Sequence, residues 1–337
     1  MKFLGVSFSV LLTFCFSLDG RADTLTNVKQ RGHLKCGVSQ GLPGFSTADK
    51  GGHWFGIDVD LCRAIAAGVL GDPNKVKYTP LSAKERFTAL QSGEIDILSR
   101  NTSYTLQRDA SLGINFAGVI YYDGQGFMVH KKLGVSAAEQ LVNASICINI
   151  GTTTELNVAD FFRSKKIKYK LVTFEKNDEV VAAYDAGRCD AMSSDQSGLY
   201  ADRTKLKHPE DHLVLPEKIS KEPLGPAVRH GDDRWADIVR WTLFTLLEGE
   251  ELDVGIKTMA ESMKSTNPAV RRIVGLEGEL GNNLGLDPEF AKRILAQVGN
   301  YGEIFERNLG QASPLKIDRG VNNLWSKGGL HYAMPFR

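Results

Sequence analysis

Between Ser99 and Arg108 the chain reads Ser-Arg-Asn-Thr-Ser-Tyr-Thr-Leu-Gln-Arg, a cluster of hydroxyls, amides and guanidiniums. Arg108 is its sharpest member, because a planar guanidinium takes a carboxylate through two parallel hydrogen bonds. Ser103 and Thr105 place further donors and acceptors close by. A second cluster runs Ile146-Cys-Ile-Asn-Ile-Gly151-Thr-Thr-Thr-Glu155-Leu. There an apolar strand pattern ends at Gly151, and Thr152–Thr154 open a helical pattern that continues through Phe161 and Phe162. The free N–H groups and positive dipole end of such a helix favour an anion. Thr152 or Thr153 can also serve as N-cap with Glu155 as its capping-box partner, which is compatible with anion binding. The chemistry offered at both places is recognition of a carboxylate.

Each cluster needs a strand to deliver it. Ile95-Asp-Ile-Leu98 is a short strand pattern ahead of the first, and backbone groups at a strand end have no ladder partner. Upstream, Leu34–Val38 reads as a strand, Gly41-Leu42-Pro43-Gly44 as a loop and Lys50-Gly51-Gly52 as a tight turn. Asp58 suits the N-cap of a helix from Val59 to about Leu70, a structural role also available to Asp60. Val76–Thr79 follows as a strand and Ala83–Gln91 as a helix stopped by Gly93. This alternation predicts an α/β fold with a largely parallel sheet. Ala89-Leu-Gln-Ser-Gly-Glu-Ile-Asp-Ile-Leu-Ser-Arg-Asn101 also lies over Ala183-Tyr-Asp-Ala-Gly-Arg-Cys-Asp-Ala-Met-Ser-Ser-Asp195. Alanine, glycine, aspartate and serine coincide, so two lobes of one design, each with a polar strand exit, are expected.

The 337 residues suggest about two domains. With 42% hydrophobic and 24% charged residues and a net charge of +1, the chain has the composition of a soluble globular protein without a nucleic-acid footprint. Lys2, the apolar run Phe3–Phe16 and the Gly20-Arg21-Ala22 ending predict an export signal over residues 1–22. Cys36, Cys62, Cys147 and Cys189 remain, an even number that suits disulfides outside the cytoplasm, with three connectivities open. Their spacing predicts no zinc or other metal site. The sequence contains no H-E-x-x-H, P-loop or G-x-G-x-x-G pattern, and no catalytic residue or cofactor is assigned.

Five motifs in order carry a family resemblance: Arg31-Gly-His-Leu-Lys-Cys-Gly-Val, Phe55-Gly-Ile-Asp-Val-Asp-Leu, Ala89-Leu-Gln-Ser-Gly-Glu-Ile-Asp, Thr105-Leu-Gln-Arg and Gly151-Thr-Thr-Thr-Glu. The chain resembles the periplasmic polar amino-acid-binding proteins of ABC importers. Trp325-Ser-Lys-Gly-Gly-Leu and the long C-terminal extension resemble the general L-amino-acid-binding branch. The resemblance implies a periplasmic-binding-protein-like α/β fold, two lobes on a two-strand hinge near Tyr121–Gln125 and Glu222–Ala227, and a C-terminal helical extension. Lobe 1 then takes residues 23–122 with a return segment 226–262, lobe 2 residues 123–225, and the extension residues 263–337.

By the same resemblance Arg108 holds an α-carboxylate with backbone N–H groups of Ser103 and Thr153, and Thr152 faces that carboxylate too. Asp195 takes the α-ammonium, with the Ser103 hydroxyl and the Asn101 carbonyl. Leu42, with Ser39, stands where basic-selective members carry an aromatic and an acid, so broad selectivity is expected, with Trp54 as a wall of the side-chain pocket. The implied partners are a free L-amino acid and a membrane ABC permease, and the implied state is a periplasmic monomer that is not an enzyme. The alternatives are a small peptide such as glutathione as ligand, or a dehydratase-like enzyme needing a general acid or base in the cleft. Cys147 and Cys189 begin strands expected to be neighbours, and Cys36 lies on a strand covered by the helix of Cys62. The pairs expected are Cys36–Cys62 and Cys147–Cys189. The C-terminal aromatics Trp325, Tyr332 and Phe336 are expected to be packing anchors.

Overall fold

A computed structural model describes residues 23–337, so the expected export signal lies outside the described residues. Two five-stranded sheets form the cores of two lobes. In lobe 1 the order is Val76–Leu81, Leu34–Ser39, Ile97–Leu98, Ala227–Arg229, Ile114–Phe116. In lobe 2 it is Lys170–Phe174, Ser145–Asn149, Ala191–Asp195, Gln125–His130, His212–Val214. Each sheet is parallel on one side only. Ala227–Arg229 and Gln125–His130 run antiparallel to both neighbours. These strands follow directly on the two crossings between lobes, so they enter their sheets from the opposite end. The crossings themselves, Tyr121–Asp123 and Glu222–Leu224, pair antiparallel as the two-strand hinge.

The helix Ile57–Leu70 is buried on nearly all sides, which fits its almost continuous apolar sequence. Its N-cap is Gly56 at φ 130°, where a Cβ would fall 2.1 Å from the Phe45 carbonyl oxygen. Asp58 is therefore not the N-cap expected above; it sits in the first turn with other partners, described below. Gly68 admits a helix of the extension, since a Cβ there would lie 3.1 Å from Ile294 Cδ1. The helix Asp233–Glu251 is capped by Asp232, which accepts from Trp235 N–H at 3.0 Å. Buried Trp235 donates its indole N–H to the Asp96 carbonyl at 3.0 Å, tying this helix to the lobe-1 sheet.

The extension packs on lobe 1 and on the hinge. Its helix Phe290–Gln297 buries Phe290, Ala291, Ile294 and Leu295 against the two helices just named. Buried Asp60 accepts from Arg307 Nε at 2.9 Å and Asn308 Nδ2 at 2.6 Å, so its role is to dock the helix Tyr301–Asn308 and not to cap its own helix. Of the three C-terminal aromatics only Phe336 is a buried anchor, edge-on to Trp241. Trp325 and Tyr332 are half exposed and lean on each other, their centroids 5.4 Å apart. Disulfides join Cys36 to Cys62 and Cys147 to Cys189, one in each lobe.

Candidate functional site

A cleft of about 210 Å³ lies between the lobes. Strand ends supply its polar lining, because the exit after Ile97–Leu98 and the last residues of Ala191–Asp195 both open into it. From lobe 1 come Ser39, Leu42, Arg86, Arg100, Asn101, Ser103 and Arg108; from lobe 2 come Asn149, Thr152, Thr153, Asp178, Asp195 and Asp202, among others. All the site residues expected from the sequence line it except Trp54. The Trp54 ring packs on Tyr78, 5.8 Å between centroids, and its two-residue strand Trp54–Phe55 pairs with Thr47–Ala48 in a hairpin.

Arg108 stands on the short helix Leu106–Ser111, whose N-cap Thr105 accepts from the Arg108 backbone N–H. Its Nη1 donates to the Ser103 carbonyl at 2.9 Å, and its guanidinium lies 5.3 Å from the Phe87 ring centre. Two more buried arginines share this wall and were not singled out in the sequence. Arg86 faces the same Phe87 ring at 4.8 Å and reaches Thr102 Oγ1 at 3.3 Å, while its Nε has no hydrogen-bond partner. Arg100 Nε donates to the Leu81 carbonyl at 3.0 Å. Burial is the main force holding the Arg86 proton loosely, reinforced by Arg100 and Arg108 and opposed by Asp195 and Glu222. Arg86 opens a helix of mixed sequence with no motif around it, whereas Arg100 lies inside the Ser99–Arg108 cluster.

The acids answer this charge. Burial, then repulsion from Asp123 and Glu222, lifts the Asp195 carboxyl well above its usual range, against the pull of Arg108 and Arg86. Asp58 accepts from the Asn101 backbone N–H at 2.9 Å and the Ser99 hydroxyl at 3.4 Å. This bond supports Asn101 at φ 26°, a left-handed conformation that few non-glycine residues adopt. Asp58 thereby shapes the strand exit that carries Asn101 into the cleft. Its carboxyl is pushed up to about 7 by burial, opposed by its hydrogen bonds and Arg100. The native state thus binds this proton where the unfolded chain, ionising near 3.8, has released it. Stability contributed by the protonated group is present below about pH 4 and is lost as pH rises towards 7. Asp58→Asn will flatten that slope, by at most about 1.4 kcal/mol per pH unit, in urea melts taken between these limits. An unchanged slope would remove Asp58 as its source.

The second cluster differs in detail from its sequence reading. The helix spans Thr154–Lys165 with Thr153 at the N-cap position, but neither Thr152 nor Thr153 makes a side-chain cap bond. Thr152 Oγ1 donates to the Asn149 carbonyl and Thr153 Oγ1 to Glu222, at 2.7 and 2.9 Å. The hinge carboxylate thus takes the hydroxyl that a capping box would use. Among the described residues, hydrogen bonds cross the cleft from Ser103 Oγ to Thr153 Oγ1 at 3.5 Å, from Arg86 Nη2 to the Gly151 carbonyl at 3.4 Å, and from Lys205 Nζ to the Gly41 carbonyl at 2.6 Å. The lobes are closed on one another.

Gly37-Val-Ser-Gln-Gly41 has the G-x-S-x-G spelling of a nucleophile elbow. A serine nucleophile needs a base on its hydroxyl. The Ser39 hydroxyl instead pairs with Ser46 Oγ at 2.9 Å, and no histidine lines the cleft among the described residues.

Residues 34–259 match the bacterial extracellular solute-binding proteins, family 3. The chain is 57% identical over 318 residues to the general L-amino acid-binding periplasmic protein AapJ of Rhizobium johnstonii, covering 94% of this chain and 93% of that protein. It is 49% identical over 330 residues to the glutamate/glutamine/aspartate/asparagine-binding protein BztA of Rhodobacter capsulatus, covering 98% of each. A solved periplasmic binding protein from Brucella ovis with glutathione bound superposes at a TM-score of 0.93, with 56% identity over 94% of this chain and 100% of that one. Among the described residues no helix is long and apolar enough to cross a membrane. With more than half its length matched and near relatives aligned from end to end, the chain belongs to the family 3 bacterial extracellular solute-binding proteins.

Proposed function

We propose that this protein captures free L-amino acids between its lobes in the periplasm and hands them to a membrane ABC permease. The observation that carries this reading is the placing of Arg108 and Asp195 on opposite lobes of one closed cleft. A zwitterion brings a carboxylate for Arg108 and the N–H groups at Thr152–Thr153, and an ammonium for Asp195 and the Asn101 exit. Each end then completes a buried charge of opposite sign. Charge-assisted hydrogen bonds contribute about 1.5–3 kcal/mol each, and micromolar binding needs roughly 8 kcal/mol. Contacts from both lobes together meet that figure and those from one lobe do not, so binding and closure are coupled. We divide the chain at the hinge, with lobe 2 inserted into lobe 1, and read the receptor as a non-catalytic monomer.

Breadth of ligand follows from where the recognition lies. The charged contacts address groups that every amino acid shares, and the rim offers neutral Ser39, Gly41 and Leu42 on one side and Asp178 and Asp202 on the other. A cavity near 210 Å³ is below the ~300–1,000 Å³ typical of drug-sized pockets, which suits a single amino acid in this conformation. The second reading is a small thiol peptide, favoured by the glutathione held in the Brucella ovis structure. Calorimetry with a panel of L-amino acids and glutathione separates the two. Micromolar binding across several amino acids supports the first; binding of glutathione alone replaces it.

The raised Asp195 carboxyl gives this reading a pH signature. An ammonium ligand needs the carboxylate, so capture must displace a proton held below the ligand-free pKa. Affinity will fall as pH is lowered through that value, and Asp195→Asn will both remove the dependence and weaken binding about 10- to 100-fold. A variant that keeps the wild-type affinity and pH profile would remove Asp195 from the ammonium site.

A further inference from the structure

The hinge strands are held by different lobes at adjacent residues. On the first strand, the Tyr122 backbone N–H donates to Asn322 Oδ1 at 2.7 Å, and its carbonyl accepts from Asn322 Nδ2 at 3.0 Å. Buried Asn322 of the extension thus pairs with Tyr122 as a neighbouring strand would. Two residues before Tyr122, the Ile120 carbonyl accepts from Tyr301 Oη at 2.8 Å, a hydroxyl also bonded to His331 Nε2 at 2.9 Å. The residue after Tyr122 is held by lobe 2. Half-buried Asp123 accepts the Ser197 hydroxyl and, at 3.1 Å, the Ser197 backbone N–H.

The second strand changes hands at the same level. Glu222 is held by Thr153 and Asn157 of lobe 2, at 2.9 and 2.7 Å. The Pro223 carbonyl accepts from Tyr104 N–H of lobe 1 at 2.8 Å, and the Leu224 carbonyl from Ile120 N–H at 2.8 Å. In the ladder Tyr122 faces Pro223 and Asp123 faces Glu222. Both changes therefore fall in a single ladder step.

We infer that lobe closure pivots on that one step, from Tyr122 and Pro223 to Asp123 and Glu222, and that Asn322 of the C-terminal extension is the positioning residue that fixes its lobe-1 side. Residues 260–337 lie outside the stretch that matches the family, so this brace is an addition to the shared fold. Without it Tyr122 keeps its ladder partner on one edge only, and bending spreads back along the strand towards Ile120. A pivot confined to one step returns the lobes to one closed pose, the pose in which both ends of a ligand meet their partners. The inference rests on capture between closing lobes as proposed above.

The test uses the full chain with nitroxides attached through a ketone-bearing amino acid at exposed Lys50 and Lys168, one per lobe, leaving the cysteines paired. Interlobe distances are measured by electron–electron double resonance with and without L-glutamine, alongside stopped-flow binding. Asn322→Ala is expected to broaden the ligand-free distribution at least twofold. It should raise the L-glutamine dissociation rate about tenfold and leave association within threefold. Tyr301→Phe, which keeps the ring and loses only the hydroxyl, should broaden it less. Arg272→Ala, which loosens the extension away from the hinge at its bond to the Phe336 carbonyl, should leave it as in the wild type. Wild-type width and dissociation in Asn322→Ala would overturn the inference, as would equal broadening in Arg272→Ala. If L-glutamine leaves the wild-type distances unmoved, the amino-acid reading fails for this ligand, and the ligand-free widths still decide the pivot.

Discussion

Arg108→Ala will weaken L-amino acid binding by about a thousandfold, equivalent to ~4 kcal/mol. Two losses add. The ligand carboxylate forfeits charge-assisted hydrogen bonds worth about 1.5–3 kcal/mol each, and in a closed cleft water cannot fully replace them. Truncating one member of a buried charge pair commonly costs roughly 2–5 kcal/mol, because the other member stays unpaired. Arg108→Lys will recover little of this, since an ammonium lacks the planar fork. Arg86 and Arg100 do not substitute, as their guanidiniums are tied to Thr102 and Leu81. Titration calorimetry of the three proteins checks this, and a loss below tenfold in Arg108→Ala would move the carboxylate to Arg86, whose Nε has no partner.

The other large effect is on stability. Replacing Cys147 and Cys189 together by serine will lower unfolding free energy by about 4 kcal/mol. That is the loop-closure value for a bridge spanning a sequence separation of 42, and the melting midpoint should fall by on the order of 10 °C. Cys147 is fully buried, so its serine hydroxyl adds a desolvation cost. The Cys36–Cys62 bridge closes a separation of 26 and should be worth slightly less. Thermal melts with and without reductant read both. An oxidised wild type that melts with the double serine variant would show that the bridge does not stabilise the fold.

What was legible in the sequence was what periodicity and local chemistry write into short stretches. The strand at Leu34–Ser39, the glycine stop at Gly93 and the duplicated exits at Asn101 and Asp195 depend on residues close in the chain. Long-range partners were hidden. Asp58 and Asp60 look like caps because they open a helix, yet their partners are 43 and 248 residues away at Asn101 and Asn308. The Thr153 hydroxyl is taken by Glu222 across 69 residues, which no capping-box pattern reveals. Trp54 does not line the cleft, and its ring packs on Tyr78, 24 residues on. Arg86 was missed for the opposite reason: nothing beside it in sequence marks a helix start that faces a cleft.

The order of strands also bears on how the chain assembles as it is made. All five strands of the lobe-2 sheet come from one continuous stretch, Gln125–Val214. The lobe-1 sheet needs Ala227–Arg229 between two strands made from residues before 117, and Thr24 waits for Asp232, 208 residues later. A chain synthesised N-terminus first therefore presents a completed insert before its host can close. Lobe 2 can acquire its own disulfide while the first hundred residues are still held open, and the extension, last to emerge, seals the assembly.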